Sequence, residues 1–527
     1  MIAAELAPEV QLPRQTMLKV AALALAVGSV SLVWSLCADV ILAYSDTLSH
    51  LNIARRLLDS RTPGVAQLGT VWLPVPHILM LPLVWLDPLW QTGLAGSVVG
   101  LLCLTATSLS LFASIRLITH QPAAAWVGLA VLLTNPNLLY LHTTALTEPV
   151  LLMTMTSSAY FLLRWTRAGK APSLMAAGIL CMLAIGSRYD GWFFAAVCTG
   201  IVLIVTLTRS RSRDVAEGLT LAYCVLPVFG MFLWLYYNWL IWSDPLEFLH
   251  GPFSAEVMQN QIAEAGVLKT NGDLLLSTLT YSLTVVHNTG VLVLILGVAG
   301  LIVYTLRLRR LGGSLASYAF LAAYPFNILA LYVGQTTISL PESSPPGYFN
   351  VRYGAMMVPG VALFTAYAFD QLSRVLPPRL WGSTAGAILA LQATIYVPRW
   401  PLSIITVADG LIGTSARPPR SDAARYLAAH YRGGGILIDD DKNPQAVFEA
   451  GVPMREYIGT FSGNLWQQAL TDPGSQVEWV FVGTRTREDR VAAALLRSNV
   501  LQREFALEFE DPARGQAVYH RAGAHAG

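Results

Sequence analysis

Residues 17–50 read MLKVAALALAVGSVSLVWSLCADVILAYSDTLSH, and this stretch decides the fold. Its first part, 17–41, is an apolar run that can cross a bilayer as a helix, which takes about 20 residues. The run is longer than the apolar core of a secretory signal and lacks a small-x-small cleavage site before Asp46. We therefore expect a membrane helix that is retained, with Asp46 standing where the chain leaves the apolar phase.

The composition of the whole chain is that of a membrane protein. The 527 residues are 54% hydrophobic and only 13% charged, whereas soluble domains carry about 25% charged residues. The formal net charge of +2 and the lack of a basic stripe interleaved with aromatic residues argue against a nucleic-acid partner. The five cysteines all lie in apolar runs without metal-ligand spacing, so no disulfide framework and no thiolate metal site is predicted.

Apolar segments of spanning length recur along the chain and predict a polytopic helical membrane protein with about eleven transmembrane helices. The predicted spans are 17–41, 92–117, 122–141, 147–166, 172–187, 191–208, 218–241, 279–305, 314–334, 353–373 and 380–398.

Basic residues cluster in alternate loops, and the positive-inside rule places those loops and the N-terminus in the cytoplasm. The basic residues are Arg14, Lys19, Arg116, Arg164, Arg167, Lys170, Arg209, Arg211, Arg213, Arg307, Arg309, Arg310, Arg374 and Arg379. The opposite loops hold most of the acids, Glu256 and Glu264 among them. Asp46 is then outside, and an odd number of spans puts the C-terminal segment outside too.

The first outer loop, 42–91, lies within a predicted transmembrane domain of residues 1–400. Leu48, Leu51, Ala54 and Leu58 recur at helical spacing, which is typical of an amphipathic helix in the membrane interface. A second apolar piece, 77–85, is too short and too interrupted by proline to span the bilayer.

The composition becomes that of a soluble domain from about residue 401, and residues 401–527 are predicted to form a small extracytoplasmic α/β domain. The pattern indicates helices at 422–431 and 487–496 and strands at 436–438, 477–482 and 505–509. Alternating elements of this kind build an α/β layer.

Asp46 is the leading candidate for a catalytic group. It can be a helix N-cap, as can Ser45, or a general base that takes a proton from an acceptor hydroxyl. We favour the base, because ionisable residues at a membrane edge are candidate functional sites. His50 would share its helix face at i+4, and Arg55 and His77 lie in the same loop. A histidine pair alone does not make a metal site, since a metal takes three or four ligands.

Further polar residues stand at the outer ends of predicted spans. Glu148 opens one span, where an acid either complements the helix dipole or has a function. Arg188 and Asp190 flank Tyr189 between two spans and can simply pair. Arg352, followed by Tyr353, opens another span against the positive-inside trend, and an arginine there suits a phosphate. Trp72 and Trp192 are either interfacial belt residues or sugar-stacking residues.

Taken together, these residues resemble the membrane glycosyltransferases of the GT-C fold class. The resemblance is carried by Tyr44-Ser45-Asp46 with His50, by Trp72-Leu73-Pro74-x-x-His77, by Thr147-Glu148-Pro149, by the stretch 187–192 and by Arg352-Tyr353. It covers roughly residues 17–400. Protein O-mannosyltransferases, lipid A aminoarabinose transferases and arabinofuranosyltransferases share this plan.

The resemblance implies a polyprenyl-phosphate sugar as donor and a glycan, lipid or protein as acceptor, in contact with membrane lipids at the outer face of the cytoplasmic membrane. It implies Asp46 as the catalytic acid, with Glu148 beside it. Arg352 and Arg188 would hold the lipid phosphate, and the other candidates would bind substrate: His50, Arg55, Trp72, His77, Asp190 and Tyr353. No cofactor is predicted. The chain lacks the paired Asp-Glu of the protein O-mannosyltransferases and the Asp-x-Asp of oligosaccharyltransferase subunits, which argues against peptide acceptors and a divalent metal.

Three other functions remain open at this point. A transporter or flippase of lipid-linked sugars would place its site near the midplane, often in two similar halves, whereas the charges here gather at one face. A lipid-linked oligosaccharide ligase would use a different donor. A scaffold without catalysis would leave Asp46 and Arg352 unexplained.

Overall fold

A computed structural model describes residues 12–209, 212–252, 254, 257, 259, 269–308, 315–375, 377–394, 400–483 and 489–522. Several residues used in the sequence predictions lie outside these described ranges. They are Arg211, Glu256, Glu264, Arg309, Arg310, the end of the 380–398 span and the start of the 487–496 helix.

The described chain is mostly helical. Its α-helices are α1 (Arg14–Cys37), α2 (Ser45–Arg56), α3 (Val75–Val84), α4 (Asp87–Gln91), α5 (Leu94–Ile118), α6 (Pro122–Leu133), α7 (Pro136–Leu141), α8 (Glu148–Ala168), α9 (Ala171–Ile185), α10 (Asp190–Arg209), α11 (Arg213–Trp242), α12 (Glu247–His250), α13 (Leu274–Thr289), α14 (Val291–Arg307), α15 (Ala323–Tyr332), α16 (Val358–Leu372), α17 (Trp381–Thr394), α18 (Ile405–Ile412), α19 (Asp422–His430), α20 (Pro444–Ala450), α21 (Asn464–Thr471), α22 (Arg490–Leu495) and α23 (Val500–Glu504). Short 3₁₀ turns lie at Val65–Leu68, Leu315–Leu321, Val351–Met357, Pro378–Leu380, Met454–Glu456 and Pro473–Ser475. The strands are β1 (Ile436–Leu437), β2 (Tyr457–Ile458), β3 (Trp479–Gly483), β4 (Phe505–Asp511) and β5 (Gln516–Arg521).

The chain divides into two compact units. Unit 1 comprises Met1–Ala43, Thr70–Pro76 and Ser97–Ala416, and unit 2 comprises Tyr44–Gly69, His77–Gly96 and Arg417–Gly527. This division differs from the predicted domains, because most of the first outer loop belongs with the C-terminal segment.

Unit 1 contains the membrane-spanning helices. Among the described residues, five helices are long and apolar enough to cross a membrane, and up to seven spans result if each of two bent pairs counts as one. The chain is therefore a multi-pass membrane protein. The predicted number of eleven is not confirmed, because several predicted spans are shorter helices here, α9 among them.

Two predicted spans are broken, for reasons that lie in the local sequence. The 279–305 span is two helices, α13 and α14, which meet at an angle of 111°. Gly290 joins them with φ +80, a conformation that glycine adopts without strain. The 122–141 span ends after Leu133, where the Asn135 side chain accepts from the backbone N–H of Leu138. That cap and Pro136 start a new helix, α7.

Close helix contacts in unit 1 rely on glycine. A Cβ built on Gly300 of α14 would overlap the backbone carbonyl of Phe364 on α16, and one on Gly100 of α5 would overlap the carbonyl of His142. Small residues let helix backbones approach closely in membranes, where van der Waals packing drives association.

Unit 2 is built on a mixed sheet with strand order β2-β1-β3-β5-β4. β2, β1 and β3 are parallel, while β5 pairs antiparallel with β3 and β4. A core of Leu437, Val480, Val482 and Leu495 lies under it. The predicted strands at 436–438, 477–482 and 505–509 are present, and the sequence pattern missed β2 and β5.

The first outer loop is an integral part of unit 2. The side chain of Asn52 on α2 donates to the carbonyl of Pro444 at 2.9 Å. Arg56 pairs with Asp440, which follows β1, at 3.2 Å. The Trp90 ring meets Phe448 of α20 edge-on at 5.5 Å. These contacts explain why the amphipathic α2 is largely buried.

Candidate functional site

A buried charge cluster forms in unit 1 from three of the predicted residues. Glu148 Oε1 accepts from Arg188 Nη1 at 3.0 Å and from Arg352 Nε at 3.0 Å. One carboxylate oxygen thus joins two guanidinium groups from distant parts of the chain. Buried ionisable groups are rare in membrane proteins and are candidate functional sites.

Two more acids and one aromatic ring complete the cluster. Asp190 Oδ2 accepts from Arg188 Nε at 3.1 Å, and Asp409 Oδ2 lies 3.9 Å from Arg352 Nη1. Both guanidinium groups lie over the ring of Tyr353, at 4.6 and 5.5 Å from its centre. The three carboxylates and two guanidinium groups carry a net charge of −1. The attraction of the acids therefore outweighs the repulsion between the two arginines.

The helix starts bring these groups together. Glu148 is the first residue of α8 and Asp190 the first of α10, where a carboxylate complements the positive end of the helix dipole. Arg352 lies in the 3₁₀ turn that leads into α16. The sequence missed Asp409, because α18 resembles an apolar core helix; the only signal was a single acid inside it.

The two arginines differ in access. The side chain of Arg188 is 17% exposed, whereas that of Arg352 is 4% and that of Glu148 1% exposed. Burial lowers the pKa of Arg188, but the charges of Glu148 and Asp190 raise that pKa by more, so it stays charged. Within the described chain its Nε and Nη1 donate to Asp190, Glu148 and Thr147.

Glu148 is better suited to holding the two arginines in place than to donating a proton. Its Oε1 is shared by two arginines, an arrangement that favours the ionised carboxylate. Its Oε2 is buried and has no hydrogen-bond partner among the described residues. A ligand hydroxyl can donate to that atom.

The Trp72 segment packs beside the Arg188 turn in unit 1. Val75 N–H donates to the Gly186 carbonyl at 2.8 Å, and the Tyr189 hydroxyl donates to the Val71 carbonyl at 2.9 Å. Trp72 is half-buried. Trp192 instead packs with Tyr189 and Phe248, at ring distances of 6.0 and 5.9 Å, which makes it part of an aromatic core.

Asp46, His50 and His77 lie in unit 2. Asp46 sits in the first turn of α2 and is half-buried, while Tyr44 occupies the N-cap position. The helix therefore begins earlier than predicted, and neither Ser45 nor Asp46 is its N-cap. Nδ1 of His50 and Nε2 of His77 are 2.9 Å apart, in a buried hydrogen bond.

Arg55 is held entirely by the protein. Its Nε and Nη2 donate to Asp59 at 3.1 and 2.9 Å, and its Nη1 to the carbonyls of Val84 and Trp85 at 2.7 and 2.9 Å. Nη2 also pairs with Asp87 at 2.8 Å. A guanidinium has five N–H donors, and the protein's own groups engage all of them here.

His142 does not join the histidine pair of unit 2. It lies in unit 1, where burial lowers its pKa to about 4 and its Nδ1 bonds the Leu138 carbonyl at 2.8 Å. It is neutral at pH 7. In the part of the chain that the structure describes, no three His, Cys, Asp or Glu side chains are grouped so as to hold a metal ion.

No protein-family model and no curated protein matches the chain. Among solved structures it is similar to archaeal oligosaccharyltransferase AglB from Archaeoglobus fulgidus in complex with an inhibitory peptide and a dolichol-phosphate, with a TM-score of 0.49 and 10% identity over 97% of this chain and 74% of that chain. The apo form of the Archaeoglobus fulgidus oligosaccharyltransferase gives 0.49 and 10% over 97% and 75%. The same enzyme tethered to an acceptor peptide gives 0.48 and 11% over 97% and 74%. A TM-score below 0.5 does not by itself assign a family, so the function has to follow from the site.

Proposed function

We propose that this protein is an inverting membrane glycosyltransferase. It moves a hexosyl or pentosyl group from a polyprenyl-phosphate donor to a hydroxyl acceptor on the outer face of the cytoplasmic membrane. The observation that carries the proposal is the buried cluster of Arg188, Glu148 and Arg352 at the starts of apolar helices. A lipid-phosphate donor needs a cation at the edge of an apolar phase, and the partly exposed Arg188 supplies one.

Arg188 is the residue we assign to the donor phosphate. Cleavage of the sugar–phosphate bond leaves charge on the departing phosphate, and a preorganised guanidinium stabilises that charge. Arg188 is partly exposed and stays charged. Arg352, the residue that the resemblance implied, is more buried and is bonded to Glu148. We assign it a positioning role, in which it holds Glu148 and, through it, Arg188.

Asp46 remains our candidate for the base. The hydroxyl of the acceptor substrate loses its proton as it attacks the anomeric carbon. A carboxylate such as that of Asp46 can take this proton when it lies within hydrogen-bond reach. One base that activates the acceptor on the face opposite the leaving phosphate gives inversion. The sequence predicts His50 and His77 as substrate-binding residues; they are bonded to each other, and we propose that they also support the helix carrying Asp46.

The first test replaces the proposed base. In proteoliposomes supplied with a polyprenyl-phosphate sugar, Asp46→Asn is expected to lower transfer by at least a hundredfold, in line with the usual contribution of general base catalysis. Asp39→Asn is the matched control, because Asp39 is exposed and has φ +52, a conformation that asparagine adopts readily. Equal amounts of both variants in the membrane exclude a folding defect. Undiminished transfer by Asp46→Asn would contradict the assignment.

A transporter or flippase of lipid-linked sugars is the second candidate, and one observation favours it. The 111° break between α13 and α14 is the kind of interrupted helix that transporters use at their binding sites. A flippase would move a fluorescent polyprenyl-phosphate sugar across the vesicle bilayer without forming a glycosidic bond. Transfer to an acceptor would exclude this alternative as the main activity.

A further inference from the structure

A pocket lies in unit 2, at the end of α2 that is remote from Asp46. Its volume is about 510 Å³, and it is lined by Arg55, Leu58, Asp59, Ser60, Pro63, Trp85, Asp87, Trp90, Gln91, Gly451, Pro453 and Arg455. Ligand pockets for small molecules fall in the range of about 300–1,000 Å³. The lining comes from both the first outer loop and the C-terminal segment.

The charges in this pocket already satisfy each other. Arg55 uses all its donors, as described above, and Asp59 accepts from Arg55 through one oxygen and from Arg455 through the other, at 2.9 Å. Asp87 pairs with Arg55 at 2.8 Å. Two arginines and two aspartates give a net charge of zero. The pocket therefore has no net charge that would attract a charged ligand, which favours an uncharged one.

The remaining lining groups suit stacking and hydrogen bonding. Trp85 is 62% exposed, which leaves much of its apolar ring open. Ser60 Oγ and Trp90 Nε1 are buried without a hydrogen-bond partner among the described residues. An unmet donor or acceptor in a buried position costs about 1–3 kcal/mol, which a ligand that bonds to it recovers.

We propose that this pocket binds a neutral carbohydrate. A pyranose or furanose ring has an apolar C–H face that packs on an indole and hydroxyl groups that both donate and accept. Those hydroxyls can meet Ser60, the indole N–H of Trp90 and the amide of Gln91. Neutral sugars need no free charge, which agrees with the paired arginines and aspartates.

The position of the pocket suggests which carbohydrate it holds. Nine residues separate Asp46 from Arg55 on α2, which is about 14 Å at 1.5 Å per residue. A sugar in the pocket is therefore not the one whose hydroxyl reacts at Asp46. It is a more distant unit of the same acceptor glycan. This part of the inference rests on the proposed transferase function, whereas carbohydrate binding itself does not.

The test measures binding by the full-length protein in detergent. Linear neutral tetrasaccharides of mannose, glucose and arabinose are titrated, with a tetragalacturonate as the charged comparison, and binding is followed by calorimetry. We expect at least one neutral tetrasaccharide to bind, and Trp85→Ala to weaken it by about tenfold, the size of a lost aromatic contact. Trp85→Phe should restore most of the affinity, and Trp239→Ala, which removes a tryptophan of similar exposure from α11, should leave it unchanged.

Two results would overturn the inference. One is the absence of binding by all three neutral tetrasaccharides at millimolar concentration. The other is binding that Trp85→Ala leaves intact. If that variant also exposes the 77–91 segment to a water-soluble label in liposomes, Trp85 is a membrane anchor instead. Donor hydrolysis measured without acceptor reports on the proposed transferase site separately, so a failure of either proposal can be told from a failure of the other.

Discussion

At the scale of single residues, the decisive feature is a carboxylate shared by two arginines. Removing one partner of a buried ion pair leaves an uncompensated charge and typically costs about 3–5 kcal/mol. The two arginines here are not equivalent, because Arg352 is almost fully buried and Arg188 is partly exposed. A structural and a ligand-binding arginine can therefore be separated by experiment.

Replacing each arginine by glutamine separates the structural role from the ligand-binding role. Arg352→Gln is expected to lower the thermal stability of the purified protein clearly, because Asp409 and Glu148 lose a buried cation. Arg188→Gln is expected to have the smaller effect on stability but to raise the KM for the polyprenyl-phosphate sugar by tenfold or more. Thermal unfolding in detergent and donor-dependent kinetics measure the two effects. Equal KM values for Arg188→Gln and the parent protein would remove Arg188 from the donor site.

The sequence identified this cluster only in part. Arg352, Arg188 and Glu148 stand out in the sequence because ionisable residues at the ends of apolar runs are candidate functional sites. Asp409 could not be recognised, because it lies 57 positions after Arg352 in the sequence and no local pattern links the two residues. The pairing of Arg55 could not be recognised from the sequence for the same reason. No sequence pattern indicates that Asp59 and Asp87 both contact its guanidinium in the folded loop.

At the scale of elements, α14 approaches α16 closely because residue 300 of α14 is a glycine, which has no side chain. Gly300→Ala would press a methyl group against the Phe364 carbonyl, which forces the helices apart. We expect a loss of about 1–3 kcal/mol, as for other overpacked sites, and a lower Tm in detergent. Gly218→Ala in α11 is the control, because a Cβ there meets nothing within 4 Å and alanine favours the helix. A Gly300→Ala protein as stable as the control would contradict the contact.

Helices were easier to predict than their breaks. Hydropathy averages over a window of residues, so it locates apolar runs such as α1 and α10 well. It does not register the backbone angle of one glycine, so the apolar pattern predicts a single span across the bend at Gly290. The short β2 strand is missed for a related reason. Its two residues are too few to show the alternation of apolar and polar side chains by which a strand is recognised.

At the scale of the whole molecule, the chain combines an apolar helical unit with a polar α/β unit that includes the first outer loop. Composition alone indicates both kinds of unit, because the charged residues are scarce before about residue 400 and common after it. It does not indicate that residues 44–69 and 77–96 belong with the C-terminal segment. That grouping depends on pairs almost 400 positions apart, such as Arg56 with Asp440, which no local pattern reveals.

This pairing predicts that the C-terminal segment holds the helix that carries Asp46. Arg56 and Asp440 are mostly buried, and Arg56 also lies over the Phe461 ring at 4.2 Å. In a double-mutant cycle with alanine at both positions, we expect a coupling energy of about 1 kcal/mol or more. The readout is the rate of trypsin cleavage after the exposed Arg61, which reports how often the loop opens. The exposed pair of Arg425 and Asp422 serves as the control cycle, with a coupling close to zero. Equal coupling in both cycles would mean that the C-terminal segment does not hold the loop through this contact.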